Sequence, residues 1–254
     1  MEERNGRGLT EREFLERYDP GKYERPSVTA DILIFTAKEC GEDSHLQILL
    51  IQRKEHPCMN RWAVPGGFVG MKESVDEAAE RVLEEKTGQS GVYLEQLYTW
   101  GDVGRDPRAR IISVSYMALT PWEKIRPAAG MDAAWYFVSR SGGTLRLWNE
   151  DRELSGQDLA FDHARMIWLA LERMKNKVLY TDIVFRLLPD KFTFPELQRF
   201  YEVILEEKLH GPNFRRDMAA LVEMTDEKCK SQGVGKPARY YRRKPDGVRP
   251  ETEL

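Results

Sequence analysis

The stretch from Gly66 to Gly88, GGFVGMKESVDEAAERVLEEKTG, constrains the chain more than any other. It opens as a strand exit into a glycine-rich turn and continues as an amphipathic helix. Val75, Ala78, Ala79, Val82 and Leu83 occupy the i, i+3, i+4, i+7 and i+8 positions of one buried stripe. Ser74 can cap the start, and Glu77 stands three residues on, as a capping box requires. Gly88 suits the left-handed residue just past the end. The Ala and Glu residues between them have good helix propensity.

This stretch resembles the Nudix box, the loop-helix signature of nucleoside-diphosphate hydrolases. That pattern is Gly, five residues, Glu, seven residues, Arg-Glu-aliphatic-x-Glu-Glu-x-Gly. Gly67, Glu73, Arg81, Leu83, Glu85 and Gly88 match it; Val82 and Lys86 do not. In the family, carboxylates at these spacings share one side of the helix and supply oxygen ligands to hard divalent ions beside a pyrophosphate. The ions polarise the phosphoryl group and activate water. Here the face reads Val82, Glu85, Lys86, so one carboxylate remains beside an ammonium that repels metal. The site is therefore expected not to hydrolyse. Val82 also fits simple core packing, and Lys86 is a cation where the helix macrodipole favours one.

The 254 residues can hold one large or two ordinary domains, and 41% apolar with 32% charged residues describes a globular protein. No apolar run approaches the roughly 20 residues of a membrane span, and the N-terminus has no hydrophobic signal region. Cys40, Cys58 and Cys229 stand isolated, without metal spacing, as ordinary thiols of a reducing cytoplasm. Lys228 to Arg249 holds eight Lys or Arg and one acid, a net +7, which leaves −10 on the rest of a chain whose total is −3. Such a tail fits a polyanion partner or a solvated terminal charge run.

Along the chain, Leu9–Tyr18 reads as a short helix or part of a mobile arm. Val28–Ala37 and His45–Arg53 read as a strand hairpin across a polar loop, Lys38–Ser44. Trp62–Val64 is a short strand, Val92–Thr99 is extended or mixed, and GDVGRDPRAR is a loop. Ile111–Leu119 is a clear strand, with shorter ones at Ala134–Val138 and Thr144–Trp148. This mixed sheet with an internal helix agrees with a Nudix α/β/α sandwich. Beyond residue 158 the pattern turns helical. Asp162 caps a helix over His163–Val178, Thr181–Leu188 is a short helix, and Thr193–Glu196 is a capping box opening PELQRFYEVILEEKL. Asn213–Met224 is expected as a further helix, followed by a Gly-rich turn and the basic, β-prone ARYYRR.

Helix, turn, helix and basic hairpin make the layout of a winged helix-turn-helix. Asn213, Arg215 and Arg216 then open the recognition helix, where base-edge contacts arise. Lys236, Arg239, Arg242 and Arg243 on the wing would meet phosphates. The domains expected are a charged arm (1–26), a Nudix-like sensing domain (27–158), a winged helix-turn-helix (159–245) and a tail (246–254).

The motifs YERPSVTADILIFT, PGGFV, LEQLYTWGDVGRDPRARIISVSYMALT, LAFDH, LPDKFTFPELQRFYEVIL, NFRRDM and GKPARYYR together resemble the Nudix-related transcriptional regulators of NAD metabolism. They cover most of residues 23 to 243. The resemblance implies a dimeric repressor, binding double-stranded operator DNA, whose effector is typically ADP-ribose; some relatives sense sugars and control sugar-use genes. One departure is the turn LHGP before NFRR, where members commonly carry a polar or basic turn; it bears on fine DNA specificity. Arg53, Phe68, Glu73, Glu85, Lys86 and Arg105 are the candidate ligand-binding residues, with Lys86 standing in for the lost metal. No catalytic residue, metal ligand or cofactor is expected. An active Nudix pyrophosphohydrolase with an added binding domain, and an interaction module that has lost both functions, are the competing readings.

Overall fold

The computed structural model describes residues 3–40, 43–228 and 238–245. A nine-stranded mixed sheet is its centre. The long first strand, β1 (Ser27–Cys40), pairs antiparallel with β2 (Asp43–Gln52), with Phe35 opposite Ile48. The two short strands β3 (Trp62–Ala63) and β4 (Gly66–Phe68) pair with β2 and β1 respectively. β5 (Tyr93–Trp100) and β6 (Ile111–Leu119) form one flank, where β6 runs parallel to β1 from Ser27↔Ile111 to Phe35↔Leu119. β7 (Ala133–Ser141), β8 (Thr144–Trp148) and β9 (Glu153–Leu154) form the other flank. The polar loop expected at Lys38–Ser44 is shorter than that, because the hairpin pairing continues to Cys40↔Asp43.

Period-2 alternation sorts the apolar run of β1 onto two faces. Ala30, Ile32 and Ile34 join Leu49, Tyr116 and Ala118 beneath Ala78, Ala79, Val82 and Leu83 of the box helix α2 (Val75–Thr87). Leu33 and Phe35 join Ile48, Leu50, Met117 and Leu119 on the opposite face. The stripe and both caps of α2 stand as read: Ser74 accepts from the Glu77 N–H, Glu77 accepts from the Ser74 N–H, and Gly88 adopts φ 69°.

α3 (His163–Tyr180) covers the second face through Met166, Ile167, Ala170 and Met174. The same apolar cluster runs on without a break into Leu197, Phe200, Tyr201 and Ile204 of α4 (Phe194–Leu205). Glu206, left-handed at φ 58°, ends α4 and receives the Arg140 N–H of β7 at 2.7 Å. The C-terminal unit is thus packed on the sheet rather than tethered to it. Thr181–Leu188 reduces to a single 3-10 turn, Ile183–Arg186.

α5 (Gly211–Met218) is shorter than the helix expected over Asn213–Met224. The chain turns at Ala219–Leu221, and Val222–Lys228 becomes β10, pairing with β11 (Arg239–Arg243). The cross-strand partner outweighs the helical reading, and Val222 is buried on this hairpin. The N-terminal arm carries α1 (Glu11–Arg17), with a Thr10–Glu13 capping box. No helix among the described residues is long and apolar enough to cross a membrane.

Candidate functional site

Two neighbouring glycines divide the sheet's two faces. A Cβ on Gly66 would overlap the Asp31 carboxylate, and one on Gly67 would lie 2.9 Å from Val82 Cγ2 on α2. Only glycine allows both approaches in consecutive residues.

On the α2 side, Arg81 gathers the surviving box carboxylates. Its Nε and Nη2 donate to Glu73 at 2.9 and 2.7 Å, and its Nη1 donates to Glu85 at 3.0 Å. Nη2 also reaches the Phe68 carbonyl at 3.0 Å, fixing the glycine-rich turn to the helix. The Arg81 hydrogen bonds, helped by the Gly70 N–H, hold the Glu73 carboxyl down at about 2. Val82 is 0% exposed and belongs to the core. Two carboxylates already shared by one guanidinium, beside a buried valine, are a poor donor set for a hard cation. Among the described residues no three His, Cys, Asp or Glu side chains come together as a metal site. With Glu73 and Glu85 both bonded to Arg81 and a valine at position 82, the carboxylates left on this face are a poor fit to the divalent ions that a Nudix box implies. Lys86 lies one helical turn beyond Val82, half-buried, and its carbonyl accepts from the Ala128 N–H at 2.9 Å.

The other face holds a cavity of about 180 Å³. Three of the expected ligand residues, Arg53, Phe68 and Arg105, line it; Glu73, Glu85 and Lys86 do not. Asp31, Arg108, Phe161 and His163 join them without having been singled out. Arg53 is set by a tight turn, with its N–H on the Arg61 carbonyl at 2.9 Å and its carbonyl taking the Asn60 N–H at 2.8 Å. Its Nε donates to the Pro57 carbonyl at 2.8 Å, so a carbonyl rather than a carboxylate meets this charge. The guanidinium stands 4.9 Å from the Phe161 ring. Arg108 lies between two rings, 5.6 Å from Phe68 and 5.8 Å from Phe161, and is braced by Asp106 at 2.7 Å.

Phe161 has φ 49°, a left-handed conformation uncommon for a bulky residue. Its two successors in the chain, Asp162 and His163, are anchored and hold it in place. Arg105 donates to both Asp162 oxygens at 2.9 and 2.7 Å, with side chains only 4% and 10% exposed. Asp162 occupies the N-cap position of α3, as expected, but its carboxylate is spent on Arg105 and makes no cap hydrogen bond. His163 Nδ1 accepts the Val64 N–H at 3.1 Å. Desolvation pushes its imidazole below the ordinary value, so it is neutral. Asp31 accepts from the Ser113 hydroxyl. The cavity thus combines an arginine free of carboxylates, two aromatic rings and the positive end of an 18-residue helix.

The second surface is at α5. Phe214 is buried against Tyr201 (5.1 Å) and Phe194 (6.5 Å), which leaves Asn213, Arg215 and Arg216 outward and exposed. Arg215 rests 5.1 Å over the Phe194 ring, and Arg216 meets Asp217 at 3.1 Å. The wing is stapled to the strand-like residue before α4 by the reciprocal bonds of Phe192 and Tyr241, 3.0 and 2.7 Å. Arg239 is exposed, Arg242 pairs with Glu223 and Arg243 with Asp182. Lys236 and the 246–254 tail lie outside the described residues.

Two family models match the chain. The Nudix domain covers residues 26–180, taking in α3, and the NrtR DNA-binding winged helix domain covers 184–243. An ADPR-responsive transcriptional repressor NtrR of Acinetobacter baylyi is 37% identical over 240 residues, 92% of this chain and 88% of that protein. The crystal structure of Shewanella oneidensis NrtR complexed with a 27mer DNA superposes with a TM-score of 0.70 at 33% identity, covering 87% of this chain and 95% of that one. The Nudix domain of the same protein complexed with ADP ribose superposes with a TM-score of 0.50 at 32% identity, covering 65% of this chain and 99% of that one.

Proposed function

The chain belongs to the NrtR family of Nudix proteins with a C-terminal winged helix, and from that premise we propose that it is an ADP-ribose-responsive transcriptional repressor of NAD-metabolism genes. The observation that carries this reading is the pairing of an intact cavity with a spent box. Arg53 offers donors and the α3 N-terminus positive potential to a pyrophosphate, while Phe68 and Phe161 offer faces to a base. The box side lacks the donors for a catalytic ion, so the ligand is bound and not cut. Val82 closes that side with a packed methyl pair, and Lys86 leaves a cation there in place of a carboxylate.

Operator DNA is read by Asn213, Arg215 and Arg216 from the first turns of α5, with Arg239 and Arg242 on phosphates. A homodimer supplies two such helices to a pseudo-palindrome, which is how short half-sites reach useful affinity. Binding at Phe161 and His163 acts on the start of α3, whose far half shares a core with α4. The ligand releases DNA by preferring the arrangement of the dimer that does not fit the operator; equal preference would shift nothing.

The test is anisotropy of a duplex from the promoter beside the chain's own gene, titrated with full-length protein and then with ADP-ribose in EDTA. Tight binding reversed by metal-free ADP-ribose is expected. Binding that ADP-ribose leaves unchanged, or hydrolysis at about 1 per second or faster with Mg²⁺, would sink the proposal.

A further inference from the structure

Asp31 and Asp106 both line the cavity, and they are held differently. Asp106 is braced by Arg108. Asp31 is 8% exposed, and among the described residues it takes a single side-chain hydrogen bond, from the buried Ser113 hydroxyl to Oδ2. Its other oxygen, Oδ1, lies over Gly66, in the space a Cβ there would fill. A carboxylate has about four acceptor positions, so most of the polar demand of this nearly buried group is unmet. The core does not ask for a carboxylate here, since the same face of β1 continues as Leu33 and Phe35.

His163 supplies the complementary half. Its Nδ1 accepts the Val64 N–H, so the neutral ring carries its proton on Nε2. Among the described residues no acceptor takes that proton, although the ring is 4% exposed and lines the cavity. Asp31 is near enough to act electrostatically on both His163 and Arg108, yet it is hydrogen-bonded to neither. An acceptor short of donors and a donor without an acceptor therefore stand close together in one cavity. A hydroxyl, which donates and accepts through one oxygen, is the smallest group that joins them.

We propose that Asp31 and His163 form a subsite for a ribose hydroxyl, which donates to Asp31 Oδ1 and accepts from His163 Nε2. This rests on the ADP-ribose reading above and says which part of the ligand specifies it. A phosphate does not suit this corner: its oxygens only accept, and they would bring negative charge against a nearly buried carboxylate. The phosphates belong with Arg53, whose Nε meets a carbonyl instead. The cavity is thus divided, with a cation for the pyrophosphate and an acceptor–donor pair for the sugar. Both riboses of ADP-ribose carry free hydroxyls, so either can be the one held.

The test is calorimetry on the full-length chain in EDTA, wild type against Asp31→Asn. The isosteric amide can still accept from Ser113 but turns a donor toward the ligand. ADP-ribose is expected to bind the variant about tenfold more weakly, the loss of one hydrogen bond to a charged group. Two further ligands find the sugar: ADP-ribose without its adenosine 2′ and 3′ hydroxyls, and ADP, which lacks the terminal ribose. The ligand missing the recognised hydroxyl should bind the wild type about tenfold more weakly and be indifferent to Asp31→Asn, because both changes remove one contact. The wild-type series stands whether or not the variant folds. An Asp31 dependence that persists through both ligands and disappears when hypoxanthine replaces adenine gives the contact to the base and overturns the proposal. So does ADP-ribose binding that Asp31→Asn changes by less than about twofold. If ADP-ribose does not bind the wild type, the effector reading fails, and ribose 5-phosphate makes the same comparison: binding weakened by Asp31→Asn keeps the subsite, and no binding overturns it too.

Discussion

On one face of the sheet the box helix presents Glu73, Arg81 and Glu85 tied into their own ion pairs; on the other, Arg53, Arg108, Phe68 and Phe161 surround open space. Both regions meet at Gly66 and Gly67 of β4, one glycine facing each way. The charged groups of the first are satisfied by one another and by backbone. In the second, Arg53 is met only by a carbonyl, and strain at Phe161 is held by a buried ion pair. Unused donors and stored strain accompany binding, whereas mutual pairing accompanies a structural role.

The largest effect should come from the pin behind the cavity. Arg105→Ala leaves the Asp162 carboxylate buried without its bidentate partner, a loss of about 3–5 kcal/mol. Urea unfolding measures it, and ADP-ribose binding should fall with it because Phe161 is no longer held. A loss under about 1 kcal/mol would make this pair an ordinary surface contact and remove the contrast between the faces.

Val82→Glu attacks the other side. A carboxyl placed at this fully buried position, against Gly67, should cost about 2–3 kcal/mol from desolvation and overpacking. It should not restore hydrolysis, since Arg81 still holds Glu73 and Glu85. Magnesium-dependent turnover of ADP-ribose by a stable Val82→Glu protein would show the box to be one step from activity.

Phe161→Gly separates binding from stability. Glycine adopts φ 49° without strain, which offsets part of the lost ring packing. The melting temperature should move little, while ADP-ribose affinity falls about tenfold, or about 1.4 kcal/mol. Equal losses in both measurements would assign Phe161 to the core.

A pH dependence arises from His163. Desolvation holds its folded value below the ordinary 6.5. The unfolded chain therefore takes up a proton first as the pH falls through about 6.5, and stability present above that value is lost below it. The urea midpoint should therefore fall between pH 7 and 5.5. His163→Gln should flatten this part of the urea-midpoint profile; an unchanged slope would mean that carboxylates carry it.

The sheet, the box helix and the winged helix were legible because their signals are local: period-2 and period-3.6 stripes, the Ser74 and Thr193 capping boxes, and Gly88. The end of α5 was not, since Val222–Lys228 takes its strand form from a partner strand across the hairpin, Met224 facing Tyr241. Of the cavity's lining residues, Arg53, Phe68 and Arg105 were singled out from the sequence. Asp31 had a signal that could have found it, a carboxylate within the apolar run VTADILIFTA. Phe161 and His163 lie far from the box in sequence and reach it only because α3 begins there. Single-residue patterns carry no trace of such a meeting.

Lys86 tests how far the ligand extends from the cavity, and it carries the smallest expected effect. Taken from the sequence, an ammonium in place of a box carboxylate offers a pyrophosphate three donors without an activated water. The fold sets it on the α2 face, one turn beyond Val82, while the cavity opens on the face of β1 that carries Asp31. A ligand confined to the cavity meets Arg53 and the α3 N-terminus and senses Lys86 only through solvent, where a screened charge contributes on the order of 0.2–1 kcal/mol. Calorimetry with ADP-ribose in EDTA should then give Lys86→Ala an affinity within about threefold of the wild type, against a loss of tenfold or more for Arg53→Ala. The opposite ranking would move the phosphates past Gly66 and Gly67 and onto the box helix. The two faces would then share one ligand, and the spent box would still be part of the sensor.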